Sequence, residues 1–267
     1  MSIYRFLDEQ IQGAAKETVY LLTDAKQVKQ IQRVLRLEKQ DVLEIIDGQG
    51  KLYRCKIEEI DRDSIKLKVL DTVQESQDSV KIKLEVALPL LKSDRFEFAI
   101  QKLTELGVST ISPIITSRSV VKQSEKHGND FTSAPKYKRW MSISKEATEQ
   151  SERMAPPLIK APSEFEEYLI SLSQNGPDHA LSFICLAREE APPLVDYFLK
   201  KNSIASPVTP RRNLRIIIGP EGGFTEIEIQ KAKIAGCLPS NLGKTILRSE
   251  TAAIAACTLA MNLGDFL

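Results

Sequence analysis

Residues 216–225 read Ile-Ile-Ile-Gly-Pro-Glu-Gly-Gly-Phe-Thr, and this stretch decides how the C-terminal part of the chain folds. The three isoleucines predict a short buried strand. Thr225 and Glu228 have the spacing of a capping box, which predicts that a helix begins there. Because α/β sheets bind ligands where a strand ends, and because glycine lets the backbone approach a bound molecule, the stretch predicts a binding loop. A tight strand-to-helix turn without a ligand is the alternative.

A second stretch, residues 242–253, again joins a short apolar segment to a helix. Ser249 is predicted to be the N-cap, and the alanines after it allow another element to pack closely. The triplet Gly243-Lys244-Thr245 ends like a phosphate-binding P-loop. That motif also requires a glycine five residues before its second glycine, where this chain has Leu238, so a nucleoside triphosphatase is disfavoured.

Composition and charge argue against a membrane-spanning protein, a secreted protein and a strongly basic nucleic-acid binder. The chain has 267 residues, of which 42% are hydrophobic. Because no apolar run approaches the ~20 residues of a membrane span, and because the N-terminus lacks an apolar signal segment, we expect a cytoplasmic protein without a membrane anchor. Lys and Arg number 37 against 36 Asp and Glu. Any RNA-binding surface must therefore come from local clusters of basic residues.

Neither the cysteines nor the histidines predict a metal site or a disulfide framework. The four cysteines include no Cys-x-x-Cys pair, which is typical of buried free thiols: Cys55, Cys185, Cys237 and Cys257. His127 and His179 lie in separate polar segments. Two isolated histidines do not make a metal site, and we expect no metal.

Residues 1–73 are predicted to form a small, mostly β module. Val42–Ile46 and Leu52–Ile60 are strand candidates, joined by turn residues at 47–50. Ser64–Leu70 alternates apolar residues with lysines, as a half-buried strand does. A small barrel of short strands is therefore predicted.

One helix is predicted within this module. Asp24 and Gln27 have the spacing of a capping box. The helix after them is predicted to turn an apolar face inward, formed by Val28, Ile31, Val34 and Leu35. Several basic residues of the module either contact RNA or form a solvated polar face: Arg33, Arg36, Lys66 and Lys68.

Beyond a polar linker at residues 74–79, alternating strand and helix patterns predict a parallel α/β sheet. Asp94 is predicted to cap its first helix, which Gly107 ends. Trp140 falls on one helical face with Ile143 and Ala147, so it is predicted to be a core residue. Stacking of Trp140 on an unpaired RNA base is the alternative.

Residues 216–225 and 242–253 together resemble the RsmE family of ribosomal RNA uridine-N3 methyltransferases, within the SPOUT superfamily. Further segments carry the same resemblance: Arg33–Arg36, Asp47–Gly50, Lys92–Val108, Thr116–Val121 and Glu146–Arg153. It implies a PUA-like RNA-binding β-barrel domain over residues 1–73. It also implies a SPOUT domain over residues 80–267, a parallel-sheet α/β fold with a C-terminal trefoil knot.

The resemblance also implies a cofactor, S-adenosylmethionine, a partner, the small-subunit (16S) ribosomal RNA, and a homodimer. The implied cofactor-binding residues lie in three segments: Leu186, Ala187, Gly219, Pro220, Glu221, Gly222, Gly223, Leu242, Ile246, Leu247, Arg248, Glu250, Thr251 and Ala252. Methylation of uridine N3 requires a base that takes the N3 proton or a cation that favours the deprotonated ring. The sequence leaves four candidates open for this role: Arg118, Glu149, Arg153 and Arg248.

Two other functions stay open at this point. A catalytically silent RNA-binding protein is disfavoured because both loop motifs are intact. A SPOUT enzyme acting on transfer RNA or on a ribose 2′-oxygen is disfavoured by the PUA-like N-terminus and by the segments Glu105–Val108 and Glu149–Arg153. The balanced charge favours a structured target, the assembled small subunit, over free RNA held through phosphate alone.

Overall fold

The chain forms two structural units. The computed structural model describes residues 3–74, 82–120, 131–174, 180–199 and 213–263. One unit combines residues 1–79 with 148–156, and the other combines residues 80–147 with 157–267. Across the described ranges, no helix has the length and apolar character needed to cross a membrane. Both histidines and most of the predicted linker lie outside these ranges.

The first unit is built on a five-stranded sheet. Its strands are β1 (Arg5–Leu7), β2 (Val19–Leu22), β3 (Val42–Ile46), β4 (Lys51–Ile60) and β5 (Ile65–Gln74). Their order is β1-β3-β4-β5-β2; β1 and β3 are parallel, and the other pairs are antiparallel. Ile65, Leu67 and Val69 are fully buried, which confirms the alternation predicted for this strand. The inner face of the sheet is the core of the unit.

The helical segment of the first unit departs from regular α geometry. Helix α1 (Ala25–Lys29) begins after Asp24, whose carboxylate accepts from backbone N–H groups of the first turn. The chain then continues as a π-helical turn over Gln30–Leu35. Because a π turn holds more residues than an α turn, the inward face shifts and the predicted 3.6-residue period fails. Val34 is 73% exposed, so its predicted burial is wrong.

The second unit is a parallel α/β sheet. Its strands are β6 (Lys83–Pro89), β7 (Thr110–Ile115), β8 (Leu158–Ile159), β9 (Ser163–Glu164), β10 (Leu181–Cys185), β11 (Asn213–Ile218) and β12 (Leu238–Ser240). Its helices are α2 (Ser93–Glu105), α3 (Pro135–Gln150), α4 (Phe165–Gln174), α5 (Leu194–Leu199), α6 (Glu226–Ile234) and α7 (Ser249–Leu263). The last three residues of α3 belong to the first unit. The order is β12-β10-β11-β6-β7-β8, with β9 also paired to β7. The predicted fold class, a parallel α/β domain after a small β domain, is confirmed, and the trefoil knot stays a prediction.

Small residues let α7 pack inside the second unit. Ala253, Ala256 and Ala260 are fully buried. The helix contacts β6, β11, α2 and α5. The close packing predicted from these alanines is therefore confirmed, and it joins the last helix directly to the strand that carries residues 216–218.

Trp140 is a core residue, as predicted. Its side chain is 1% exposed. The ring lies 4.6 Å from the ring of Phe96 and 5.7 Å from that of Phe131, centroid to centroid. Because the side chain is almost fully buried and packs against Phe96 and Phe131, Trp140 is not a platform for an unpaired base.

The structure confirms the helix ends predicted at Thr225 and Gly107, but not the one predicted at Asp94. Thr225 and Glu228 form the predicted reciprocal capping box at the start of α6. Gly107 follows α2 with a positive φ of 88°, a conformation that favours glycine after a helix end. Asp94 does not cap α2, because the helix already begins at Ser93 and Asp94 lies in its first turn.

Candidate functional site

Three neighbouring strands bring the predicted binding segments to one edge of the sheet. Strand β10 lies between β11 and β12, with Cys185 level with both Ile218 and Ser240. The three strands are parallel, so their carboxyl ends meet. The segments after them, beginning at residues 186, 219 and 241, therefore converge. The backbone N–H of Leu186 donates to Ser240 O at 2.8 Å, which joins the first segment to the end of β12.

The three segments enclose a cavity of about 270 Å³. This volume is close to the lower end of the ~300–1,000 Å³ range of small-molecule sites. The predicted cofactor-binding residues that line it are Leu186, Ala187, Gly219, Pro220, Glu221, Gly222, Gly223, Leu242, Ile246, Leu247 and Ala252. Their binding of a cofactor stays a prediction, because the structure places them without a ligand.

Of the glycines in residues 219–223, Gly219 and Gly222 leave little room for a side chain, and Gly223 has a backbone conformation that favours glycine. The loop turns through a hydrogen bond from Gly223 N–H to Pro220 O (2.8 Å), and Gly223 has a positive φ of 71°. A Cβ on Gly219 would lie 3.0 Å from the Phe224 ring. A Cβ on Gly222 would lie 3.2 Å from Arg118 Cβ. The loop backbone can therefore pack closely only because these residues are glycine.

Arg118 holds the same loop from its other side. Its Nη1 donates to Gly222 O at 3.0 Å and to Phe224 O at 3.2 Å. Arg118 also lines the cavity. Arg118 is the one of the four predicted catalytic candidates that lines the cavity. Arg248 does not line it, but is exposed and lies between two residues that do, Leu247 and Ser249.

Ser249 connects α7 to the glycine loop. Its Oγ donates to Gly219 O at 2.7 Å. The predicted N-cap role is wrong, because Ser249 is the first residue of α7 and its hydroxyl donates to another loop instead of accepting from its own helix. Ser249 thereby joins the second and third segments of the site.

Glu228 anchors the start of α6 beside the loop. It accepts from Thr225 N–H at 2.7 Å and from Ser117 N–H at 2.8 Å, and it is buried. Burial acts to raise the pKa of the Glu228 carboxyl, but hydrogen bonds from Thr225 and Ser117 outweigh it and hold the pKa below its usual value. The ionised form is therefore the one that the fold requires.

Replacing Glu228 with glutamine is expected to lower the free energy of unfolding near neutral pH by about 1–3 kcal/mol, since hydrogen bonds to a charged acceptor are weakened. Because the folded-state pKa is depressed, this stabilisation is present above the usual glutamate pKa and is lost as the pH falls through the folded-state value. Thermal unfolding of both proteins between neutral and acid pH measures the difference.

The matched control for this prediction is Glu226→Gln, two residues earlier in the same helix. Glu226 is exposed, so its loss of charge is equal but its expected change in stability is within about 0.5 kcal/mol. If the two variants unfold alike at neutral pH, Glu228 does not anchor the loop.

Arg95 is a site residue that the sequence analysis missed. Its Nη1 lies 3.0 Å from Glu221 Oε1, and its Nε lies 4.0 Å from Glu250 Oε1. Glu250 is buried, and among the described residues its Oε2 has no hydrogen-bond partner. Arg95 thus supplies positive charge to two predicted cofactor residues. Arg95 lies in α2, more than a hundred residues before Glu221 and Glu250. In the sequence, its membership of the Lys92–Val108 segment was therefore the one sign of a role at the site.

Only some residues of the third segment, which follows β12, line the cavity. Residues 242, 243, 245, 246, 247, 249 and 252 line it. Arg248, Glu250 and Thr251, which were also predicted to bind the cofactor, do not. Thr251 is exposed and Glu250 is buried, because helix α7 turns consecutive side chains in different directions.

Glu149 and Arg153 belong to the first unit. Glu149 Oε1 accepts from Leu7 N–H at 2.8 Å and from Gln27 Nε2 at 3.1 Å. The predicted capping box at Asp24 is therefore incomplete, because the Gln27 side chain is used here. These contacts tie residues 148–156 to the start of the chain, a long-range pairing that sequence patterns do not reveal.

Cys185 is a thiol on the cavity wall. Burial raises its pKa to about 12, although the contact with Ser240 lowers it slightly. The thiol is therefore neutral at physiological pH, and the neutral form is a poor nucleophile. In the part of the chain that the structure describes, no three His, Cys, Asp or Glu residues are grouped to hold a metal ion.

Comparisons with known proteins agree with this geometry. A family model described as an RNA methyltransferase domain matches residues 78–261, and one described as an RNA methyltransferase PUA domain matches residues 22–70. The chain is 35% identical to ribosomal RNA small subunit methyltransferase E of Synechocystis sp., over 90% of this chain and 72% of the relative. It is 29% identical to that of Bacillus subtilis, over 94% and 93%.

Solved structures extend the likeness over the whole fold. One is a ribosomal RNA small subunit methyltransferase E from Neisseria gonorrhoeae bound to S-adenosyl methionine, with a TM-score of 0.79, 25% identity and 98% of each chain covered. Another is a methyltransferase from Legionella pneumophila in complex with the same cofactor, with a TM-score of 0.77, 26% identity and 97% and 98% covered. The chain therefore belongs to the RNA methyltransferase family that includes the small-subunit ribosomal RNA methyltransferases E.

Proposed function

We propose that this protein methylates N3 of a uridine in the ribosomal RNA of the small subunit, with S-adenosylmethionine as the methyl donor. The observation that carries the proposal is the cavity at the carboxyl ends of β10, β11 and β12. It lies within the residues that match the RNA methyltransferase domain, and a solved relative with the same fold binds S-adenosyl methionine.

The cavity residues fit this cofactor. Gly219 and Gly222 leave backbone exposed to the cavity where a Cβ would be crowded, and backbone groups of this kind suit an adenine edge. Leu186, Leu242 and Ile246 supply apolar walls. Two carboxylates near the loop, Glu221 and Glu250, suit a positively charged ligand. When bound, the cofactor supplies an activated methyl group.

The residues of the chain then have two tasks, which are to orient the base and to make N3 nucleophilic. Uridine N3 carries a proton at neutral pH, and a nearby cation favours the deprotonated ring. We propose Arg118 for this role because it lines the cavity, with Arg248 as the second candidate. Fixed orientation of the acceptor supplies much of the remaining rate.

We also propose that the substrate is the assembled small subunit, and that the protein acts in the cytoplasm, where that particle is found. The formal net charge of +1 gives little general attraction to free RNA. The PUA match over residues 22–70 supports a PUA-like RNA-binding domain in residues 1–73. The RNA methyltransferase match over residues 78–261 supports a SPOUT domain in residues 80–267.

The test is product analysis. Purified protein, S-adenosylmethionine and small subunits lacking the modification are expected to yield 3-methyluridine, measured by mass spectrometry of the digested RNA. Free small-subunit RNA is expected to be a poorer substrate. A methyl group on ribose, on cytosine or on transfer RNA alone would contradict the proposed acceptor, while binding of RNA and cofactor without any product would favour the silent RNA-binding alternative.

We further propose a homodimer with twofold symmetry. The small residues of α7 do not supply its interface alone, because Ala253, Ala256 and Ala260 are inside the fold. Ile246, beside the cavity, is 62% exposed and is an apolar surface that a second copy can cover. Light scattering at micromolar concentration is expected to give twice the chain mass of 29.9 kDa, and a monomer mass would contradict the proposal.

A further inference from the structure

One arginine on α2 lies between two carboxylates beside the cavity, and the methyl transfer proposed above does not use it. Arg95 Nη1 donates to Glu221 Oε1 at 3.0 Å. Its Nε lies 4.0 Å from Glu250 Oε1, which is too long for a hydrogen bond. The guanidinium thus has two anionic neighbours and is bonded to one of them. We call Arg95, Glu221 and Glu250 the charge triad.

The two carboxylates of the charge triad have different surroundings. Glu221 belongs to the glycine loop and lines the cavity, and its side chain is 33% exposed. Glu250 lies in the first turn of α7, does not line the cavity and is buried. Its Oε2 has no hydrogen-bond partner among the described residues. The carboxylate at the cavity is therefore neutralised by Arg95, whereas the buried carboxylate lacks a partner that its burial requires.

This arrangement gives the Arg95 side chain a second favourable position. A shift of about 1 Å brings Nε to hydrogen-bond distance from Glu250 Oε1, and the other N–H groups of the planar guanidinium are then available to Oε2. The ion pair with Glu221 is partly exposed, so its loss costs little. The new contact satisfies a buried acceptor, which offsets that loss. In this second position of Arg95, the charge of Glu221 is free.

We propose that Arg95 exchanges between Glu221 and Glu250 according to the charge of the ligand, and that this exchange sets the preference of the cavity for a cationic methyl donor over its neutral product. The inference rests on the proposed function for the identity of the donor, S-adenosylmethionine. Arg95 is in this sense a positioning residue, because it acts through the two carboxylates.

The chemistry of the ligand supplies the difference in charge. S-adenosylmethionine carries a sulfonium cation. When the methyl group is transferred, the S–C bond breaks and its electron pair stays on sulfur, so the product S-adenosylhomocysteine is a neutral thioether. With the cation bound, Glu221 is attracted to it and Arg95 pairs with Glu250. With the neutral product, Arg95 returns to Glu221, and the product is held less tightly.

Other charged groups that line the cavity lack this response. Glu189 and Glu226 are exposed carboxylates, and within the described ranges neither forms a salt bridge with Arg95. Arg118 is bonded to backbone oxygens of the glycine loop instead of to a carboxylate. The charges of these groups are the same in the empty and the occupied cavity. The charge of Glu221 is available only when Arg95 has left it.

A double-mutant cycle on Arg95 and Glu250 tests the exchange. Affinities for S-adenosylmethionine and S-adenosylhomocysteine are measured by isothermal titration calorimetry without RNA, and their ratio is the readout. Glu250→Gln leaves Arg95 on Glu221, so the preference for S-adenosylmethionine is expected to fall about 5-fold, the scale of one partly exposed ion pair. In the Arg95→Gln background the same substitution is expected to leave the ratio unchanged, because no guanidinium competes for Glu221.

The coupling between the two substitutions separates the exchange from a general effect of charge. A fixed electrostatic field would make Glu250→Gln lower the ratio equally in both backgrounds, and that result would overturn the inference. A purely structural role would lower both affinities together and leave the ratio unchanged in Glu250→Gln, which would overturn it as well.

A second cycle keeps Arg95 in place and covers the case that Arg95→Gln does not fold. Glu221→Gln is expected to lower the ratio about 5-fold. Adding Glu250→Gln to it is expected to lower the ratio no further, because Arg95 then has no carboxylate to release. The matched control is Glu226→Gln on the same cavity, whose effect on the ratio should simply add to that of Glu250→Gln. Additive losses in the cycle of Glu221 and Glu250 would contradict the exchange.

Methylation of small subunits by the wild-type protein is measured in parallel. If 3-methyluridine forms but the ratio of affinities does not depend on the charge triad, the inference fails and the proposed function stands. If the charge triad controls the ratio but no methylated uridine forms, the proposed acceptor fails and the exchange of Arg95 stands.

Discussion

Replacing Gly222 with valine is expected to weaken binding of S-adenosylmethionine by about 10- to 100-fold. A Cβ at this position would lie 3.2 Å from Arg118 Cβ, and the two valine methyl groups add further bulk. Arg118 would have to leave Gly222 O and Phe224 O, two contacts that hold the loop. Overpacking of this kind costs about 1–3 kcal/mol, and every 1.4 kcal/mol is tenfold in affinity. Isothermal titration calorimetry measures the effect.

A graded series makes this prediction specific. Gly222→Ala adds the Cβ alone, and a shift of a few tenths of an ångström in Arg118 accommodates it, so the expected loss is smaller than for valine. The loop is at the edge of the sheet, so both variants should remain folded, which circular dichroism checks. An unchanged cofactor affinity in Gly222→Val would mean that the cofactor binds elsewhere.

Replacing Trp140 with alanine is expected to lower the free energy of unfolding by about 3–5 kcal/mol, the usual cost of removing a large buried aromatic side chain. The variant would lose packing against Phe96, whose ring centroid is 4.6 Å away, and against Phe131. Chemical denaturation monitored by circular dichroism measures the change. RNA affinity of the protein that remains folded should be unaffected.

Two variants control for this prediction. Trp140→Phe keeps an aromatic ring and removes the indole N–H, which has no hydrogen-bond partner among the described residues, so its cost should be much smaller. Phe98→Ala removes a ring that is 46% exposed on α2 and should change stability far less than Trp140→Ala. Normal stability but lost RNA affinity in Trp140→Ala would instead indicate a base-stacking role.

The structure also changes how the first unit can be tested. Deleting residues 1–73 would remove Leu7 and Gln27, the partners of Glu149. Residues 148–156 would then lose the unit to which they belong. Substitutions of exposed basic residues in this unit are therefore a cleaner probe of its RNA binding than truncation is.

The sequence by itself determined the parts of the site that depend on neighbouring residues. The isoleucines before Gly219 predicted a buried strand, and Thr225 with Glu228 predicted the capping box, because strand burial and helix capping are local interactions. The three binding segments were identified through the family resemblance. Trp140 was correctly placed in the core from its helical period alone.

Only the tertiary structure decided which distant groups meet. Arg95 reaches Glu221 across more than a hundred residues, and Glu149 is bonded to Leu7 and Gln27, which also lie more than a hundred residues away in sequence. Val34 is exposed because a π-helical turn breaks the period from which its burial was predicted. Periodicity and capping report interactions within a few residues, whereas the order β10 between β11 and β12 results from packing of the whole sheet, and that order builds the site.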